Sequence, residues 1–216
     1  DSAIIYSNDF EGDVSDWIHY PVSGSTDLWG VSSSRSSCGS NSWNAAQHAG
    51  AGSNALESPV INLVGLDSAV LFFRHWYNFD DCQNDSFIPD GGIVEVSDDD
   101  GVSWTKISPV DFYPYILQDI CSNTLANTAA YAKDGGIGAE FIPALFDLTP
   151  FTGELIKVRF QAGWDCGNCG SNEGWFIDDF AIYSSQILSW LSLDVEEGIV
   201  LPSECVVINS NLEATE

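Results

Sequence analysis

Short apolar segments that alternate with polar residues recur along this chain and predict strands. The clearest segment is Leu155–Ala162, where apolar residues alternate with lysine, arginine and glutamine. An alternation of period two is typical of a half-buried strand. Val70–Tyr77 is apolar on both faces and is predicted to be a central strand. No segment has a convincing helical period, so we expect an all-β chain.

Three further strands are predicted at residues 3–6, 56–63 and 93–97. Pro59 lies within the second of these, and proline is confined to edge strands and bulges. We therefore expect an edge strand or a bulge there. Residues 21–54 and 108–140 have little periodicity, and we expect long irregular segments, the second crossing one face of the domain.

The character of the chain changes after Tyr183. Strand alternation resumes at residues 188–195 and again at 205–208. Two strands cannot bury a core alone. We therefore predict a main domain at residues 1–185 and a short β extension at residues 186–216, which either begins a second β-sandwich module or pairs with another chain.

Residues 97–104 fit the pattern S-x-D-x-G-x-[ST]-W, known as the Asp-box, at every defined position. The pattern predicts a tight hairpin in which Asp99 accepts hydrogen bonds from the turn, Gly101 has a positive φ and Trp104 packs beneath. The motif occurs in sialidases and in many non-enzymatic β proteins, so it indicates a hairpin and not a hydrolase. A second calcium site at Asp98–Asp100 or at Asp80–Asp90 is left open.

Asp178 and Asp179 stand side by side within the aromatic-rich strand predicted at residues 174–183. Successive strand residues point to opposite faces, so at least one of the two faces the packed side. A buried carboxylate is costly unless it is paired, hydrogen-bonded or bound to a cation. The chain has six Lys plus Arg against 32 Asp plus Glu. A metal ion, and Ca²⁺ in particular, is therefore the first candidate partner.

The other half of such a site is predicted near the N-terminus. Asp9 and Glu11 are two residues apart and share a face on an extended chain, while Phe10 points toward the core. Asp27 precedes Leu28 and is a further candidate. The predicted calcium ligands are Asp9, Glu11, Asp27, Asp178 and Asp179.

Five segments, taken in this order, resemble the MAM-like jelly rolls, and more closely the bacterial cleaved-adhesin or choice-of-anchor J domains. The segments are residues 8–17, 56–63, 91–104, 158–160 and 174–179. The resemblance covers residues 4–184 and implies a two-sheet antiparallel jelly-roll sandwich with a structural cation held by the five carboxylates above. Such modules lie beside secreted proteases and in surface adhesins, and some bind glycans or proteins. The cysteines and the segment 108–140 depart from the usual pattern.

The formal net charge of −26 makes nucleic acid and anionic membranes unlikely partners, because both would be repelled. No apolar run is long enough to span a bilayer, so we expect no membrane insertion. Six cysteines indicate an oxidising compartment and thus a secreted or cell-surface protein, although the sequence does not select among the pairings they allow.

Enzyme signatures are weak. None of the three histidines lies in an H-E-x-x-H pattern, and no G-x-S-x-G pattern occurs. His75 lies within an apolar strand and is interpreted as a core residue. Cys166 and Cys169 have C-x-x-C spacing, but a single such pair is weak evidence for zinc or redox chemistry. We expect no catalytic activity.

Four tryptophans lie in or beside predicted loops, namely Trp29, Trp43, Trp164 and Trp175. Such rings stack on sugars, yet packing at the ends of the sandwich is the favoured interpretation for each. Trp164, within the predicted cysteine-rich loop 164–173, is the best single candidate for ligand binding. The sequence thus predicts a secreted, calcium-stabilised, non-catalytic adhesion or accessory module that binds an extracellular glycan or protein. The alternative is a structural subunit of an extracellular assembly that pairs through residues 186–216.

Overall fold

A computed structural model describes residues 3–24, 26–81, 87–120, 123–136, 138–167 and 172–184. These ranges contain fifteen strands and one short 3₁₀ turn, Thr149–Phe151. In chain order the strands are β1 Ile4–Asn8, β2 Ile18–Ser23, β3 Trp29–Ser32, β4 Ser42–Ala45, β5 Gly52–Glu57, β6 Ile61–Asn62, β7 Ala69–Asn78, β8 Gly91–Ser97, β9 Thr105–Ile107, β10 Tyr115–Ile116, β11 Ala129–Ala130, β12 Asp134–Gly135, β13 Ile142–Asp147, β14 Leu155–Trp164 and β15 Gly174–Ser184.

Two antiparallel sheets contain nearly all of these strands. The first has the order β12-β7-β15-β4-β3, with β1 paired to β15 and β13 paired to β7. The second has the order β2-β5-β14-β8-β9, with β6 paired to β14. Strands β10 and β11 pair separately. The predicted all-β, two-sheet antiparallel sandwich is confirmed, and β7 is central as expected, since β15, β13 and β12 all pair with it.

An aromatic core lies between the two sheets. Phe160 of β14 contacts the ring of Phe73 at a centroid distance of 4.9 Å and that of Trp175 at 5.8 Å, both edge-on. Phe180 of β15 contacts Trp17 in the same way, at 5.0 Å. Edge-to-face packing of this kind adds to the hydrophobic gain of burial. The core therefore joins β14 of one sheet to β7 and β15 of the other.

The outer face of β14 is also covered, which corrects the expectation of a half-buried strand. Arg159 and Gln161 lie on that face, yet both are buried. Arg159 is buried against Glu95, its register partner on β8. The segment 113–132 covers the neighbouring surface with a second apolar cluster around Leu117 and Leu125. The irregular segment therefore crosses one face of the sandwich, as predicted.

Two other expectations about strands had different outcomes, and the first was wrong. Residues 21–54 contain β3, β4, the end of β2 and the start of β5, although their sequence is polar and rich in serine and glycine. Pairing with β14 and β15 makes these residues strands, because tertiary context overrides weak β propensity. At Pro59 the expected bulge is confirmed: Glu57 pairs with Arg159 and Ile61 with Ile156, so three residues, 58–60, stand opposite two residues of β14.

The Asp-box prediction is confirmed at the hairpin between β8 and β9. The Asp99 carboxylate accepts the Ser103 amide at 2.8 Å and the Ser97 hydroxyl at 2.7 Å. Gly101 has a φ of 88°. The indole of Trp104 lies close beneath Gly101 and against the Arg159 guanidinium, whose carbon is 4.2 Å from the ring centroid. The motif is a structural turn here.

Several predictions fall outside the described residues. They concern the extension 186–216 and four of the six cysteines, Cys82, Cys121, Cys169 and Cys205. Neither Cys38 nor Cys166, the two described cysteines, is a free thiol. No helix in the described part of the chain combines the length and apolar character that crossing a membrane requires.

Candidate functional site

The centre of β15 carries a β-bulge at the predicted carboxylate pair. Asp178 is in register with Arg74 of β7, and the register then shifts before Ala181. Asp179 sits within this shift with a φ of 49°. Aspartate is among the residues that tolerate the left-handed region, and bulges of this kind redirect a side chain. The bulge therefore turns two adjacent carboxylates out of the regular strand alternation.

Asp178 is completely buried. One of its oxygens, Oδ2, accepts the amide of Ser37 at 2.7 Å and that of Cys38 at 3.4 Å, and Oδ1 accepts the amide of Asp179 at 2.8 Å. Burial, followed by the neighbouring charge of Asp179, raises the pKa of Asp178 to about 7. The prediction that at least one of the two carboxylates faces the packed side is confirmed.

Asp179 lies beside the N-terminal carboxylates. Burial raises its pKa, Ser37 and the guanidinium of Arg74 lower it, and the charges of Asp9 and Glu11 raise it again. The Nε atom of Arg74 is 3.9 Å from Asp179 Oδ2. The structure thus brings together Asp9, Glu11, Asp178 and Asp179, four of the five predicted ligands.

The N-terminal pair is held by a turn and not by an extended chain. Asp9 accepts the Glu11 amide at 3.2 Å, and Phe10 between them has a φ of 58°. Phe10 still points into the core as predicted, against Trp17. Glu11 Oε1 accepts the amides of Ser40 at 2.7 Å and Asn41 at 2.6 Å. The reasoning from strand periodicity was wrong here, although the two carboxylates do reach β15.

Asp27, the fifth predicted ligand, makes different contacts. Its Oδ2 lies 2.6 Å from Nδ1 of His19, and its Oδ1 accepts the amide of Trp29 at 3.2 Å. These bonds fix the chain at the start of β3. The structure does not bring Asp27 to the other four carboxylates.

The segment 37–41, between β3 and β4, surrounds the carboxylates with backbone amides. Amides from four of its residues donate to Asp178 and Glu11. At Gly39, φ is 68° and an added Cβ would lie 2.4 Å from the Glu11 carboxyl carbon. Sequence reasoning missed this segment because backbone amides are independent of residue type. The only available signal was its content of small residues.

The donor set at this place consists of oxygen atoms and carries excess negative charge. Within the described ranges, no three His, Cys, Asp or Glu side chains are already arranged to hold a metal ion. The donor chemistry suits Ca²⁺, which takes hard oxygen ligands such as these four carboxylates, while the Arg74 guanidinium beside Asp179 is a competing positive charge. The N–H donors now satisfy part of the charge of Asp178 and Glu11. We call Asp9, Glu11, Asp178 and Asp179 the carboxylate cluster.

Trp164 occupies a different position from the one expected. It is the last residue of β14 and is fully buried, not part of the cysteine-rich loop. A ring without an exposed face cannot serve as a stacking platform, and its role as a ligand-binding residue stays a prediction. Its indole Nε1 has no hydrogen-bond partner. Trp29, Trp43 and Trp175 pack in the core, as favoured from the sequence.

Described residues of the remaining candidate segments make structural contacts. His75 is buried among aromatic rings, accepts the Trp175 indole N–H at 3.2 Å, and has a pKa lowered to about 3 by burial. At the Asp98–Asp100 run, Asp99 is used by the hairpin and Asp100 lies 2.7 Å from the Lys157 ammonium. In the 80–90 segment, Asp90 is buried and accepts the amide of Asp165 and the side chain of Gln47.

Comparison with solved structures concerns the fold alone. The K1 cleaved adhesin domain of Lys-gingipain from Porphyromonas gingivalis is similar at 14% identity over 84% of this chain and 95% of that one, with a TM-score of 0.46. The K3 cleaved adhesin domain of the same protein is similar at 16% identity over 84% of this chain and 100% of that one, with a TM-score of 0.47. A carbohydrate-binding module that recognises mannan is similar at 10% identity over 85% of this chain and 98% of that one, with a TM-score of 0.44. No family model and no curated protein matches the chain, so the MAM-like and choice-of-anchor J assignment stays a prediction.

Proposed function

We propose that this chain is a calcium-stabilised, non-catalytic binding module of the extracellular space, with an adhesive or accessory role toward a glycan or a protein. The observation that supports it most is the carboxylate cluster at the junction of β1 and β15. One of its members, Asp178, is wholly buried, and no basic side chain in the described part of the chain pairs with it, since Arg74 lies against Asp179.

Calcium would remove the repulsion within the carboxylate cluster. Burial and the neighbouring charge of Asp179 both raise the pKa of Asp178, so its ionised form is destabilised in the absence of a cation. A bound Ca²⁺ favours that ionised form. It would tie three parts of the chain together: the turn at residues 9–11, the segment 37–41 and β15. The role of the ion is therefore architectural.

The described residues offer no assembled catalytic group, which supports a binding role. His75 is enclosed in the core. His19 contacts Asp27, but no serine, threonine or cysteine of the described ranges hydrogen-bonds to that imidazole. A nucleophile within reach of the base would be required for acyl transfer. Asp90 and Asp178, whose pKa values burial raises, each accept a backbone amide.

Calcium titration by isothermal calorimetry tests the ion, and screening against polysaccharides and a glycan array tests the binding role. We expect one strong Ca²⁺ site in the full chain, lost in Asp178→Asn and retained in Asp67→Asn, an exposed aspartate on the loop between β6 and β7. Heat of binding that survives Asp178→Asn would contradict the assigned site. Absence of any glycan or protein ligand would contradict the binding role. Assembly through residues 186–216 stays a prediction, which the solution mass before and after their deletion tests.

A further inference from the structure

The segment that leads from β9 into β10 exposes a run of apolar side chains. Val110 is 57% exposed, Phe112 is 79% exposed and Ile116 is 65% exposed, and Pro114 is exposed as well. Single apolar residues at a surface are ordinary, but these four fall within residues 110–116 and are not scattered. We call Val110, Phe112, Pro114 and Ile116 the apolar stripe. The described part of the chain leaves it uncovered.

The backbone of Phe112 points to a function for its side chain. The φ of this residue is 64°, which lies in the left-handed region. A bulky residue is an outlier there, and turns usually place glycine or asparagine at such a position. Phe112 therefore combines backbone strain with the exposure of an aromatic ring to water. Asparagine would avoid both costs, and strain of this kind gathers where a side chain is used.

The apolar stripe lies on a rigid base. The amide of Val110 donates to the carbonyl of Leu145 on β13 at 2.8 Å. The Tyr113 hydroxyl accepts an amide of β8 and donates to a carbonyl of β9, both at 2.9 Å. Phe112 stands between these two anchors, so its ring is presented in a fixed position. A preorganised surface loses less conformational entropy when it binds a partner.

The charges beside the apolar stripe are mainly negative. Asp111 and Asp119 are exposed within it and just beyond it, and Asp147 is exposed on β13, two residues after the carbonyl that binds the turn. Two ammonium groups, those of Lys106 and Lys133, lie over partly buried tyrosine rings of the same segment. The whole chain has a formal charge of −26. This field attracts a cationic partner and repels both a second copy and an anionic membrane.

We infer that the apolar stripe docks into an apolar pocket on another protein, with lysine and arginine residues around that pocket and with Phe112 as the central anchor. This assignment rests on the proposed role as a binding module, and it names the surface and the class of partner. Aromatic side chains are enriched at the buried centres of interfaces, where they supply much of the affinity. The acidic surroundings of the stripe would speed association with a basic surface and disfavour acidic proteins.

An array of purified proteins of known sequence, spanning acidic and basic isoelectric points, tests this interface in the presence of Ca²⁺. Each protein that binds the full chain is then titrated by calorimetry. Phe112→Asn removes the ring and introduces a residue that tolerates the left-handed region. Val102→Asn, at a valine that is 85% exposed on the Asp-box hairpin, is the matched control. Phe112→Asn should melt no lower than the wild type, because its ring has little packing to lose.

We expect basic proteins to bind the wild type and Val102→Asn equally, and to bind Phe112→Asn at least about tenfold more weakly or not at all. Binding to the wild type should weaken as the salt concentration rises. The inference is overturned when no bound protein depends on Phe112, or when the dependent proteins are acidic. It is equally overturned when Phe112→Asn melts lower than the wild type, since the ring then packs within the molecule.

Sedimentation velocity and vesicles of phosphatidylcholine test the other occupants of the apolar stripe. We expect a monomer that does not bind the vesicles. Self-association or vesicle binding that Phe112→Asn abolishes would overturn the inference in favour of a second copy or a membrane. Glycan binding that Phe112→Asn retains, without any Phe112-dependent protein, would leave the proposed function intact and refute the stripe alone. A Phe112-dependent basic protein bound by a chain without any calcium site would do the reverse.

Discussion

Phe10 and Asp179 both have left-handed backbone conformations, with φ values of 58° and 49°, and they lie on segments joined by the pairing of β1 with β15. Asn8 is in register with Phe180, so the two residues flank the same point of the sheet. A non-glycine residue held in such a conformation costs on the order of 1–3 kcal/mol, and strain of this kind gathers at functional sites. Asp179 belongs to the carboxylate cluster and Phe10 lies between two of its members, which supports the proposal of an ion site there.

Gly101→Ala is predicted to destabilise the domain by roughly 1 kcal/mol. The φ of Gly101 is 88°, which disfavours any residue with a Cβ, whereas the nearest atoms to such a Cβ lie at an ordinary contact distance of 3.6 Å. Conformational strain is therefore the main expected effect. Urea unfolding of Gly12→Ala is the control, because Gly12 has no neighbour within 4 Å and no positive φ. Equal unfolding midpoints for the two variants would contradict the prediction.

Arg159→Met is predicted to cost about 3–5 kcal/mol, since it leaves a buried carboxylate without its partner. The Nη2 and Nε atoms of Arg159 lie 2.7 and 2.8 Å from the same oxygen of Glu95. Replacing both residues, as Arg159→Met with Glu95→Leu, should restore most of the lost stability.

The matched comparison for that pair is Arg35→Met. Arg35 binds Glu173 at the surface and lies over Trp76, with 3.6 Å between the guanidinium carbon and the ring centroid. We expect a loss of roughly 1 kcal/mol there. A loss at Arg159 no larger than that at Arg35, measured by urea unfolding, would show that the buried pair contributes less than proposed.

Asp90→Asn is predicted to change how stability depends on pH. Burial is the main cause that raises the pKa of Asp90 to about 7 from its ordinary 3.8. The folded state therefore holds this proton more tightly than the unfolded state. The stability that protonated Asp90 contributes is fully present below pH 3.8 and is lost as the pH rises through 7.

The new amide does not titrate, and Gln47, whose Oε1 has no partner, can rotate to accept from it. The stability of Asp90→Asn relative to the wild type should thus increase between pH 5 and pH 8, by at most about 4 kcal/mol. Urea unfolding at the two pH values measures this difference, with Asp67→Asn as a control that shows no such trend. A difference that stays constant across that range would refute the raised pKa.

The strands that were identified correctly from the sequence are those whose side chains show an apolar run or an apolar–polar alternation. β7 and β15 are apolar or aromatic enough to be recognised, and β14 shows its alternation directly. The strands between Ser23 and Gly52 were missed, because their serine, asparagine and glycine residues become strands through pairing with neighbours distant in sequence. Local residue types do not record that pairing.

The carboxylates of the candidate site could be predicted from the sequence, but the backbone groups around them could not. Carboxylates are visible in a sequence, so Asp9, Glu11, Asp178 and Asp179 could be grouped by the cost of burying one of them. The amides of the segment 37–41 and the left-handed turn at Phe10 have no such signature. Asp27 was a further candidate from its place in the sequence, but its two oxygens contact His19 and Trp29 in the structure.

Thermal unfolding of the full chain at pH 8, in calcium and then in excess chelator, tests the central claim most directly. This pH lies above the pKa of Asp178, which burial raises to about 7, so Asp178 is mostly ionised and able to bind Ca²⁺. We predict that calcium raises the unfolding temperature of the wild type and of Asp67→Asn, since a ligand that binds only the folded state stabilises it. The same addition should leave Asp178→Asn unchanged. An unfolding temperature of the wild type that is the same in calcium and in chelator would contradict the account.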